Sequence, residues 1–151
     1  DILSAHLPED TFDVAVLLDC IEHLSNPYQA LQELYRLLKT GGVLVITTGD
    51  FNSLAAGLMG RRWRLMTPPQ HLFYFAPNTL GRMLAACGFT CEEITHPWKV
   101  VPLGLMAYQA GARLGFRLKW LEKMTRLGLP INLFDAMRVI AVKRPEGVHN
   151  G

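Results

Sequence analysis

Residues 12–48, FDVAVLLDCIEHLSNPYQALQELYRLLKTGGVLVITT, decide the fold. Val14 to Leu18 is a continuous apolar run of strand length, the pattern of a parallel strand covered on both faces. It stops at Asp19, and Cys20, Glu22 and His23 follow at once. Asn26 can cap the next helix, with Pro27 at its first position, where a missing N–H costs nothing. Leu31, Leu34, Tyr35 and Leu38 recur at helical spacing and mark one face. Lys39 suits the negative end of that helix's dipole, and Gly41 its left-handed exit. Val43 to Thr47 is a second β-branched run. Strand, helix and strand with short loops make a βαβ unit, so the two strands are expected to be parallel, with a right-handed crossover.

Beyond this unit the pattern loosens and then recovers. Residues 49–75 carry glycines, Pro68-Pro69 and the aromatic cluster Phe73, Tyr74, Phe75, and predict irregular chain. Pro77 opens a helix whose apolar face is Leu80, Met83, Leu84 and Cys87, and Gly88 ends it. Phe89 to Thr95 and Met137 to Lys143 read as strands. The segment between them is too long for a plain loop. Within it Lys119, Glu122, Lys123 and Arg126 share one helical face, and Trp120, Leu121, Met124 and Leu127 another. The reading is one domain over 1–151 with an inserted helical cap over 97–133.

Composition narrows the function. Half of the 151 residues are apolar, 19% are charged and the net charge is +2, which fits a folded domain and argues against nucleic acid. Three cysteines without CxxC spacing fit reduced thiols and a cytoplasmic protein. The longest apolar stretch, Val100 to Ala112, is too short to span a bilayer. The five histidines show neither HxxxH nor HExxH spacing, so no metal site is expected.

Several pieces together resemble the C-terminal half of class I S-adenosylmethionine-dependent methyltransferases, in the branch of the ubiquinone-biosynthesis O-methyltransferases. They are Asp1 with LPEDTFDV, LLDCIEHLSNP, ELYRLLKTGGVLVITT, HLFYFAPNTLGRMLAACGF and VIAVKR. The resemblance implies part of a Rossmann-like, doubly wound α/β sheet. Phe12–Asp19, Val43–Thr48, Phe89–Thr95 and Met137–Lys143 become strands 4, 5, 6 and 7, in the order 4-5-7-6, with strand 7 antiparallel. It also places the family's glycine-rich cofactor loop upstream of Asp1. GGVLV at Gly41 is a helix exit and not that loop. The chain alone is therefore expected to be inactive, to bind cofactor weakly and to self-associate through its uncovered sheet.

In such a sheet, ligands collect outside the carboxyl ends of the strands, where Asp19 to His23 fall. By resemblance, Leu18 touches the methionine or adenosine part of S-adenosyl-L-methionine, and Asp19 and Cys20 line the same wall. Asp1 resembles the acid that accepts the adenine amino group, and Ile2 flanks the adenine. Asp19 as a turn cap and Cys20 as a small core residue stay open as alternatives. Two histidines are catalytic candidates. His23 can take a proton from an acceptor hydroxyl, or serve the turn by hydrogen bonding, because methyl transfer needs in-line positioning more than a base. His71 can line the acceptor pocket with Phe73 and Tyr74, or join a core aromatic cluster. The expected function is methyl transfer from S-adenosylmethionine to a small-molecule acceptor, at oxygen by the habit of this branch. A non-catalytic methyltransferase-like binding module is the alternative. A cap packed as a lid on the sheet is preferred to peripheral membrane contact.

Overall fold

The computed structural model describes residues 2–4, 6–102, 128–132 and 134–145. Asp1, and residues 103–127 on which the expected cap helices fall, lie outside them. In chain order the regular elements are β1 (Phe12–Leu18), α1 (Pro27–Leu37), β2 (Leu38–Gly49), α2 (Leu54–Met59), α3 (Pro77–Ala86), β3 (Phe89–Thr95), β4 (Lys99–Pro102), β5 (Gly128–Ile131) and β6 (Ala136–Lys143). Short 3-10 turns stand at Ile2–Ser4, Ile21–His23 and Gly60–Arg62.

The chain forms two compact units, Asp1–His96 with Phe134–Gly151, and Pro97–Leu133. In the second unit β4 and β5 pair as an antiparallel ribbon, from Lys99 opposite Ile131 to Pro102 opposite Gly128. The first unit holds a four-stranded sheet in the order β1-β2-β6-β3. β1 and β2 are parallel, and β6 runs antiparallel to both β2 and β3. This is the expected 4-5-7-6 order.

Pairing register sorts the side chains. Ala15 and Leu17 lie beside Leu44 and Ile46, which in turn face Ala141 and Val139. On that face Leu31 and Leu34 from α1 and Leu80 and Leu84 from α3 close one continuous core. Each of these leucines contributes about 1.5–3 kcal/mol by leaving water. The other face lacks the two-sided cover that the apolar run of β1 suits and is open, as the uncovered sheet expected of this chain implies. Val14, Val16 and Leu18 are 55, 53 and 62% exposed. The reason is position: β1 is the sheet edge, and the core lies on the opposite face.

α1 starts as its sequence predicts, with Gln29 N–H donating to Asn26 Oδ1 at 3.1 Å. It ends sooner than a Gly41 exit implies. Leu38 already pairs with Phe12, and Lys39 Nζ meets Asp13 Oδ1 at 2.8 Å instead of serving the helix end. Gly41, at φ +83°, sits where the β1–β2 register shifts. Residues 49–75 are less irregular than expected. Ser53 Oγ accepts from Ala56 N–H at 3.1 Å and starts α2. Among the described residues no helix is long and apolar enough to cross a membrane.

Candidate functional site

The site begins where β1 runs out. Asp19 turns into the left-handed region at φ +45°, a conformation that aspartate tolerates better than most residues. Its N–H donates to both the carbonyl and the hydroxyl oxygen of Thr47, at 3.0 Å each, and the Thr47 hydroxyl donates to Asp19 Oδ1 at 3.2 Å. Asp19 therefore extends the β1–β2 ladder by one rung. It does not cap the turn that follows, where Cys20 holds the cap position and no side chain bonds. Leu18 stands exposed at this edge, and Cys20 is a free, half-buried thiol. Ile2 packs partly against the core.

Ile21, fully buried, anchors the next turn. Glu22 follows it inward, is only 4% exposed, and accepts from Thr48 Oγ1 at 2.9 Å. His23 swings outward, with Nδ1 2.7 Å from the Gln70 carbonyl oxygen. A carbonyl only accepts, so Nδ1 carries a proton, and in the neutral ring Nε2 is the nitrogen with the lone pair. The Glu22 carbonyl accepts from the N–H groups of both Leu72 and Phe73, at 2.9 and 3.2 Å. That double bond to consecutive residues draws the loop before α3 against the turn after β1. It sets the rings of His23 and His71 edge to face, with centroids 4.7 Å apart.

Beside them lies a small recess lined by Glu22, Thr48, Trp63, His71, Tyr74 and Phe75. The Tyr74 hydroxyl is buried there and has no hydrogen-bond partner among the described residues. The structure thus brings His23 and His71 together, with Leu18, Asp19 and Cys20 at the strand end that leads into the same turn.

Other members were not visible as a pattern. Thr47, Thr48 and the Gln70 carbonyl act through register and loop closure, which spacing does not report. The same holds for metal donors. One oxygen of Glu22 and one ring nitrogen each of His23 and His71 lie within 4.8 Å of one another. A search for ligand pairs on a single helix cannot see donors carried by two loops. At the carboxyl end of β2, Asp50 Oδ2 lies 2.8 Å from His96 Nε2, and Asp50 Oδ1 accepts from Asn52 N–H. Nearby, Arg64 grips the buried Asp135 with two bonds of 2.8 Å, and the Trp63 ring N–H donates to it.

Comparison with known proteins meets this geometry from outside. A family model described as a methyltransferase domain matches residues 3–94. The ubiquinone biosynthesis O-methyltransferase of Glaesserella parasuis is 32% identical over 102 residues, covering 62% of this chain and 43% of that protein. The malonyl-[acyl-carrier protein] O-methyltransferase of a Paenibacillus species is 42% identical over 105 residues, covering 64% and 38%. The chain thus spans about two-fifths of the length of these relatives, 43% and 38%. A solved S-adenosylmethionine-dependent methyltransferase of Thermotoga maritima superposes with a TM-score of 0.59 at 17% identity, over 95% of this chain and 61% of that one.

Proposed function

The chain belongs to the methyltransferase domain family, and from that premise we propose that it supplies the acceptor side and part of the cofactor wall of an S-adenosylmethionine-dependent enzyme that methylates a hydroxyl of a small molecule. The oxygen acceptor is supported by the O-methyltransferase names of both relatives above. The fold is that of class I methyltransferases.

The strand edge suits the cofactor. Leu18 offers exposed apolar surface at a position held rigid by the Asp19–Thr47 bonds. Leu18, Asp19 and Cys20 would hold the cofactor along this wall, with Asp1 and Ile2 on the adenine side. When bound, S-adenosylmethionine supplies a methyl group on a sulfonium. The protein's own part is to aim the acceptor oxygen in line and to keep its proton from blocking the attack. The observation that carries the reading is the His23–His71 ring pair at the turn that follows this wall, with His71 also lining the recess. His71 and the unpartnered Tyr74 hydroxyl give that recess polar groups beside its aromatic lining.

The test uses the full-length protein, labelled S-adenosylmethionine and a panel of phenolic and aliphatic hydroxyl compounds. Transfer to oxygen is the expected result. His23→Ala and His71→Ala should each lower kcat about a hundredfold while S-adenosylhomocysteine affinity changes little. Near-normal turnover in both variants would remove the histidines from the chemistry. Failure of the full-length protein to bind S-adenosylhomocysteine at all would favour a non-catalytic module.

A further inference from the structure

Glu22, His23 and His71 form an arrangement that hydrogen bonding to an acceptor does not use up. One donor atom from each lies within 4.8 Å of the other two. Two ligands about 2.1 Å from a tetrahedral zinc-sized ion stand about 3.4 Å apart, so the three donors must draw in by up to about 1.4 Å, which side-chain rotation can supply.

Three further features point to a cation. The carboxylate of Glu22 is buried, and Thr48, a neutral donor, is its hydrogen-bond partner. Among the described residues no lysine or arginine pairs with it. A buried carboxylate without a counter-charge is costly, and a bound cation removes that cost. His23 donates Nδ1–H to a backbone carbonyl and leaves Nε2 free, the tautomer and second contact that metal-bound imidazoles commonly have. His71 makes ring contacts with His23 and Tyr74 but no side-chain hydrogen bond among the described residues. The two segments that carry these donors are already fastened by the Glu22 carbonyl. Little ordering is left for an ion to impose.

From this geometry we propose that Glu22, His23 and His71 bind a single borderline divalent cation, with Zn²⁺ as the test case. Two imidazoles and one carboxylate suit zinc and its neighbours, whereas magnesium and calcium prefer oxygen alone. This departs from the expectation of no metal drawn from histidine spacing. Three protein ligands leave at least one coordination position open, where a hydroxyl oxygen can bind and lose its proton more readily. That use of the ion rests on the methyl-transfer reading; binding of the ion does not. Under it, the histidines act through the cation rather than as bases.

Calorimetry of the tag-free, metal-stripped full-length protein with ZnCl₂ tests the site without turnover. One zinc per chain at micromolar affinity or tighter is expected. His71→Ala and Glu22→Gln should each weaken it tenfold or more. Glu22→Gln keeps an acceptor for Thr48 and so tests the charge rather than the fold. X-ray absorption on the zinc-loaded wild type needs no variant, and should count two imidazoles at about 2.0–2.1 Å and no sulfur near 2.3 Å. Absence of saturable binding, indifference to both substitutions, or a Cys20 sulfur on the metal would each overturn the proposal. Zinc binding as described in a protein that methylates no hydroxyl would sink the methyl-transfer reading and leave the cation site standing.

Discussion

At Gly88 the backbone takes φ +92°, and an added Cβ would come within 2.9 Å of the Tyr35 ring. Gly88→Ala should therefore lower stability by about 1–3 kcal/mol, read as a shifted urea midpoint. Half of that argument is in the sequence, because a glycine after an apolar helical face predicts a helix end. The Tyr35 contact is not, since it depends on how α1 meets the chain beyond α3. Asp135 gives a second expectation. Burial pushes its carboxyl pKa up, but the two Arg64 bonds, the guanidinium charge and the Trp63 N–H together outweigh that and hold it below the ordinary aspartate value. A lowered folded-state pKa means stability that is present above the ordinary aspartate range and is lost as pH falls through the lowered value. Asp135→Asn should flatten the acid limb of the stability curve and cost about 2 kcal/mol or more at neutral pH. Unfolding measured at a series of pH values would show both effects. An acid limb unchanged by the substitution would exclude Asp135 as its source.

The elements were legible in proportion to their length and their caps. α1 carries an Asn-Pro start and leucines at helical spacing, and its face is buried where that spacing puts it. Asn26→Ala should cost about 1 kcal/mol, because the Gln29 N–H loses its acceptor. Thermal unfolding would measure it, and a neutral result would mean that water replaces the cap fully. α2 leaves no such mark in the sequence, for a physical reason. It has six residues, and Leu54 and Leu58 are 85 and 88% exposed, so its apolar residues trace no buried stripe. For β1 the identity of the strand was plain but its surroundings were not. A run of valines and leucines reads the same whether one face is covered or two.

Across the whole molecule, the strand order could be expected only through a family resemblance, because spacing along the chain does not say where β6 inserts. The site was legible to the same depth. Asp19 to His23 stood out as polar residues at the end of an apolar strand. Their meeting with His71 did not, because it is made by backbone bonds between two loops. The sheet also predicts behaviour in solution. Val14, Val16 and Leu18 form an exposed apolar row on an edge strand, a surface that recruits partners. The 151-residue chain should associate as its concentration rises, and Val16→Lys should reduce this in sedimentation runs. A chain that stays monomeric throughout would show that the row is tolerated.

Two consecutive amides, those of Leu72 and Phe73, end on the single carbonyl of Glu22. Such a pair cannot open separately when the loop lifts away, so the molecule carries a gauge of its own closure. The two protons should exchange with solvent at matched rates, set by one opening event rather than by local fraying. Their nuclear magnetic resonance signals would then report, without any label, each time the histidine pair comes apart.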